Sequence, residues 1–122
     1  MEIRTSVPNG PGAPAEARRL VRSLRGRIPR RLVEDAAIVV SELVTNSHKY
    51  AGLPEGSPID LVLHLSEELL RVEVIDHSIF DPTPETPQEL RETRWGLFLV
   101  DQVAEEWGRI SEGGIWAEFR VR

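Results

Sequence analysis

The stretch "VVSELVTNSHKYAGLP", Val39 to Pro54, decides how this chain is read. Val39, Val40, Leu43, Val44 and Ala51 are spaced like the apolar side of a helix. Glu42, Asn46 and Lys49 interrupt it at steps of four and three. That spacing stacks a carboxylate, an amide and an ammonium one turn apart on a single face. The helical pattern extends back to Arg30 and predicts a helix over 30–50, with Val33, Ala37, Val40, Val44 and Ser47 as its buried stripe. "AGLPEGSP" (51–58) ends it with two glycines and two prolines.

The flanking elements follow from period and punctuation. Residues 1–7 alternate weakly and read as a first strand. "PNGPGAP" (8–14) reads as a loop. Residues 15–27 read as a helix with Ala17, Leu20, Val21 and Leu24 inward, ended by Gly26 and Pro29. "IDLVLHL" (59–65) and "LLRVEVID" (69–76) alternate and are rich in branched residues, as in a hairpin. Residues 77–94 hold three prolines and no clear period, and a loop of that length in a small domain is usually functional or mobile. "WGLFLVDQVAEEWG" (95–108) reads as a third helix. "GRISEGGIWAEFRV" (108–121) reads as two strands turning at Gly113-Gly114. This order predicts one domain over 1–122, an α/β two-layer sandwich with a mixed, largely antiparallel sheet and about three helices on one face. No GxGxxG follows the first strand, which disfavours a dinucleotide fold.

Bulk composition narrows the chemistry. The 122 residues are 40% hydrophobic and 29% charged, ordinary for a globular domain. No apolar run is long enough to span a membrane, and no secretory signal is expected. The absence of cysteine excludes disulfides and thiolate chemistry and fits a cytoplasmic protein. His48, His64 and His77 lack metal-ligand spacing. Net charge is −5, yet residues 14–31 hold seven arginines against one acid, Glu16. Such a segment is either a solvated helix face or a patch for an acidic protein surface. Nucleic acid is disfavoured, because no aromatics interleave the arginines.

Three stretches could form one polar site. Glu42, Asn46 and Lys49 share a helix face. Asp76 ends an apolar strand, where its carboxylate could accept a hydrogen bond from an exocyclic amine. Gly96-Leu97 opens a helix after the long loop, where free backbone N–H groups suit phosphate. An Asn amide oxygen can coordinate a hard cation such as Mg²⁺, and a nearby carboxylate can act as general base.

"VVSELVTNSHKYAG", "VEVIDHS" and "WGLFLVDQVAEEWG", with the late "GGIWAEF", resemble the ATPase domain of the GHKL superfamily, nearest to small actinobacterial anti-sigma factor serine kinases. The resemblance covers about residues 15–121. It implies Mg-ATP binding, with Glu42 activating the attacking hydroxyl or water, Asn46 as magnesium ligand and Lys49 near the phosphates. It implies that Asp76 binds the adenine amino group, that 77–94 is the ATP lid, and that the backbone at Gly96 and Leu97 meets the phosphates. The chain departs from the family pattern at several points. The usual "GRGL" is "RWGL", with Arg94 as a possible charged clamp. The usual Ala after the Asn is Ser47, the usual His is Tyr50, and the motif after Asp76 reads His77-Ser78. A polar Thr or Lys-Thr near the last strand becomes Gly114-Ile115-Trp116.

The resemblance implies a cytoplasmic ATP-binding regulator that phosphorylates Ser or Thr of an antagonist protein, sequesters a sigma factor, or both, with neither nucleic acid nor membrane as partner, and it suggests a homodimer. The alternative is a non-catalytic interaction module on the same fold. A sensor histidine kinase fragment is disfavoured, because no helical hairpin with a phosphoacceptor His is expected before the domain.

Overall fold

The computed structural model describes residues 1–50, 52–78 and 95–121. The elements run β1 (Glu2–Pro8), α1 (Ala13–Arg22), α2 (Arg30–Tyr50), β2 (Pro58–Leu65), β3 (Leu69–Ile75), α3 (Trp95–Val103), β4 (Glu106–Arg109) and β5 (Gly114–Arg120). The strands form one sheet in the order β1-β2-β3-β5-β4. All four of its pairings are antiparallel, so the mixed character allowed by the sequence is absent from it.

Alternation along the strands decides which face is covered. Ile59, Leu61 and Leu63 of β2, Leu70, Val72 and Val74 of β3, and Ile115, Ala117 and Phe119 of β5 point to one side and are buried. They join Val33, Ala37, Val40 and Val44 of α2, Ala17 and Val21 of α1, and Leu97 and Val100 of α3 in a single core. Helix α2 packs between α1 and α3 and reaches down to β3 and β5. The fold is therefore the expected two-layer sandwich with helices on one face.

Two element boundaries differ from the sequence reading. Helix α1 starts two residues earlier and stops at Arg22 rather than near Arg27. Pro14 sits in the first turn, where a missing N–H costs nothing. At the other end the Ser23 hydroxyl donates to the Leu20 carbonyl at 2.6 Å, and Gly26 adopts a positive φ of 86°. Helix α3 ends at Val103, and the residues expected to continue it form β4. Val103 and Trp107 are spaced like a helical pair. The backbone of 106–109 instead pairs with β5, and the Glu105 N–H joins the Glu118 carbonyl at 2.9 Å. Ladder hydrogen bonds along a neighbouring strand outweigh a weak local preference.

The β4–β5 turn demands glycine. Gly113 and Gly114 have φ of 98° and 132°. A Cβ on Gly114 would fall on the Val74 carbonyl oxygen, and one on Gly113 would fall on the Ser78 backbone. The turn is thereby pressed against the end of β3, and the Gly113 carbonyl accepts from the N–H groups of Asp76 (3.0 Å) and His77 (3.1 Å).

The opposite face of the sheet carries a charged ladder. Arg71 donates to Glu73 at 2.9 Å and to Glu118 at 3.0 Å, and stacks over Trp116 at 4.5 Å. His64 lies between Glu2 and Glu73. Burial would raise the Glu73 pKa, but its bonds to Arg71 and His64 outweigh that and hold it below the ordinary carboxyl value.

Gly114→Ala should cost at least about 3 kcal/mol of stability or prevent folding, read from urea denaturation. The depressed Glu73 pKa means its contribution is present above the unfolded-state value and is lost as pH falls through the folded-state value. Glu73→Gln should therefore lower stability at neutral pH and flatten its decline as pH falls below the ordinary carboxyl range, measured by thermal melts across pH.

Candidate functional site

The buried face of α2 is broken by two polar side chains, Asn46 (3% exposed) and Ser47 (4% exposed). Glu42, one turn earlier, is half-buried, and Lys49 is exposed. The three residues expected in a row are thus graded from interior to surface. The grading follows from the helix: Asn46 borders the stripe that ends at Ser47, while Lys49 has rotated away from it.

Ser47 links α2 to the strand that ends at Asp76. Its hydroxyl donates to Asp76 Oδ2 at 2.5 Å. The Ser78 N–H donates to Asp76 Oδ1 at 2.9 Å. Asp76 is 4% exposed, and among the described residues no cation forms an ion pair with it. Two neutral donors hold this carboxylate in place. The intervening His77 has a φ of 58°, a left-handed conformation unusual for a non-glycine residue. It bends the chain so that Ser78 folds back onto Asp76. The Asn46 and Asp76 motifs, 30 residues apart in sequence, therefore meet through Ser47.

Among the described residues three buried side-chain atoms lack a hydrogen bond, and two of them are Asn46 Oδ1 and Ser78 Oγ. Asn46 Nδ2 donates to the Glu42 carbonyl at 2.9 Å, which settles which amide atom is left over. A buried amide oxygen with no donor is costly. A hard cation that prefers oxygen would satisfy it. Asn46 Oδ1 could thus hold an oxygen-preferring cation such as magnesium. Among the described residues no cluster of three or more His, Asp or Glu could hold a metal by itself.

The remaining expected residues divide. Leu97 is fully buried and belongs to the core, so its side chain serves packing. Gly96 lies in the first turn of α3. Arg94 falls outside the described residues, as does the lid segment apart from His77 and Ser78.

Sequence reasoning passed over Asn9, which it placed in a plain loop. Asn9 is 3% exposed. Its Nδ2 donates to the carbonyls of Leu53 and Pro54, each at 3.2 Å. Its Oδ1 lies 2.9 Å from His48 Nδ1, and its backbone pairs with Ser57 and Gly56. With Nδ2 fully used, Oδ1 must accept, so His48 carries a proton on Nδ1. Asn9 therefore ties the last turn of α2, which bears Lys49, to the loop that follows. The signal was faint: an Asn-Gly pair beside two prolines reads as a turn, and nothing local reveals a partner 39 residues away.

A family model described as the histidine kinase-like ATPase domain matches residues 7–120. No curated protein matches the chain. The matched span contains every element from α1 to β5 and all of the polar cluster around Asp76.

Asn9→Ala should leave two carbonyls and the His48 ring without their partner and cost about 2–3 kcal/mol, measured by chemical denaturation.

Proposed function

The chain belongs to the histidine kinase-like ATPase family, an ATP-binding domain of the GHKL type, and from that premise we propose a regulatory protein serine/threonine kinase of the anti-sigma type. The observation that carries this reading is the buried, unpartnered Oδ1 of Asn46, the sequence neighbour of the Ser47 that bonds Asp76. A polar atom left without a partner in a core is a cost that ligand binding would remove.

Each residue takes a role suited to its setting. Asp76 accepts from the amino group of adenine. Asn46 Oδ1 would hold the magnesium of Mg-ATP, whose charge offsets that of the phosphates. Lys49, exposed at the end of α2, adds a cation near them, and Arg94 serves as a second clamp. The backbone at Gly96 and Leu97, in the first turn of α3, offers N–H groups to the phosphates. Glu42, half-buried one turn from Asn46, takes the proton of a serine or threonine hydroxyl as its oxygen bonds to the γ-phosphorus and ADP leaves. Phosphoryl transfer asks for little beyond such positioning and charge.

The partner is an acidic surface on a sigma factor or its antagonist, in the cytoplasm. Arg25 and Arg30 have no ion-pair partner among the described residues, whereas Arg18 bonds Ser41 and Arg22 faces Glu34. Arg25 and Arg30 line a concavity of about 560 Å³ with Ile28, Val33 and Glu34, the last facing Arg22. Ile38, 43% exposed, lies one turn before Glu42 on the same helix. An apolar contact among unpaired cations suits a protein better than a nucleic acid. Among the described residues no helix is long and apolar enough to cross a membrane.

A second reading is favoured by Arg94-Trp95 in place of the family's Gly-Arg: a protein-binding module that no longer transfers phosphate. Calorimetric titration with ATP, with and without Mg²⁺, separates the two. Magnesium-dependent binding that Asn46→Ala abolishes is expected, while the apo stability of that variant stays within about 1 kcal/mol. Glu42→Ala should keep ATP binding and lose phosphorylation by at least about a hundredfold. No binding up to millimolar ATP would leave the interaction module standing.

A further inference from the structure

The nucleotide reading gives Asp76 a task and leaves Ser47 without one. Ser47 is 4% exposed and donates its proton to Asp76 Oδ2. We infer that Ser47 is a positioning residue that makes this site select a purine bearing a six-amino group, by locking the Asp76 carboxylate and by presenting only lone pairs itself. The inference rests on the nucleotide-binding reading above.

The argument is an inventory of protons. A serine hydroxyl has one proton and two lone pairs, and an ionised carboxylate has only lone pairs. The Ser47 proton is committed to Asp76 Oδ2, and the Ser78 N–H is committed to Oδ1. Each carboxylate oxygen keeps room for one further donor. Whatever Ser47 and Asp76 still offer a ligand is therefore an acceptor. An exocyclic amine supplies the donor that this arrangement lacks. A six-oxo purine brings its carbonyl oxygen against acceptors instead.

Ser47 cannot adapt to that carbonyl cheaply. Turning its hydroxyl toward the ligand would strip a donor from a carboxylate that is 4% exposed and has no cation in contact among the described residues. A buried acceptor left unpaired is expensive. Sites built around a committed polar pair reject analogues more strongly than apolar pockets do, for this reason. With alanine at position 47 the Asp76 carboxylate keeps, among the described residues, only the Ser78 N–H as a hydrogen-bond donor. Its terminal torsion is intrinsically broad, so it could turn toward the N1–H of a six-oxo purine. Ser47 thus acts on the base only through Asp76.

The test measures dissociation constants of ATP, GTP and purine riboside triphosphate, which lacks the six-amino group, for the unaltered protein and for Ser47→Ala. The variant should bind ATP about tenfold more weakly, and its preference for ATP over GTP should fall by at least as much. Its affinity for purine riboside triphosphate should stay within about twofold of the unaltered protein, because that ligand never engages Asp76. Equal weakening of ATP and purine riboside triphosphate would assign Ser47 to packing alone and overturn the inference. An unchanged preference for ATP over GTP would overturn it too. Failure of the unaltered protein to bind ATP would overturn the nucleotide reading itself, and this inference with it. Should Ser47→Ala not fold, Ser47→Cys, similar in volume and a weaker donor, should shift the same constants in the same direction by less.

Discussion

The polar pocket of this protein is tied together by one hydrogen bond made inside a helix core, from the Ser47 hydroxyl to the Asp76 carboxylate. Helix α2 is 21 residues long, roughly 32 Å, and its apolar side is committed to the sheet. A helix buried that deeply offers few positions for polar groups. The two it carries inward, Asn46 and Ser47, sit where α2 passes the end of β3. One finds a protein partner and the other keeps a bare oxygen. The same packing that stabilises the domain sets the geometry of its polar pocket.

The end of β3 is held from several sides. The Gly113-Gly114 turn leans on it so closely that no side chain fits between them. His77 accepts a left-handed backbone there, and Ser78 folds back to donate to Asp76. Asn9 performs a similar service for the far end of α2. Such anchoring keeps a carboxylate and an amide in register through hydrogen bonds from neighbouring segments. A site assembled on helix and strand ends, rather than on loops alone, is positioned by the core itself.

The charges divide the surface by task. On the open face of the sheet Arg71, Glu73, His64 and Glu118 satisfy one another across three strands. On the helix side the arginines of 18–31 are only partly paired, and Arg18 spends its charge in bonding Ser41. A ladder that closes on itself belongs to stability.

Much of the architecture was legible in the residues alone, because periodicity survives without a partner. The apolar stripe from Val33 to Ser47, the alternation of 59–65 and 69–75, and the glycine pair at 113–114 each announce an element through local sterics and burial. Glu42, Asn46 and Asp76 were legible for a related reason: polar residues set in apolar periods conflict with their own pattern. Tertiary structure decided the rest. Residues 104–107 read as helix until β5 stood beside them, since a strand's hydrogen bonds lie outside its own segment. That Asn46 is buried while Lys49 is exposed, that Ser47 spends its only proton on Asp76, and that Asn9 grips His48 and the 53–54 carbonyls all depend on groups 29 to 45 residues away. Local sequence specifies which groups a segment carries. Only the folded chain specifies which of their protons and lone pairs remain free, and that remainder is what a ligand meets.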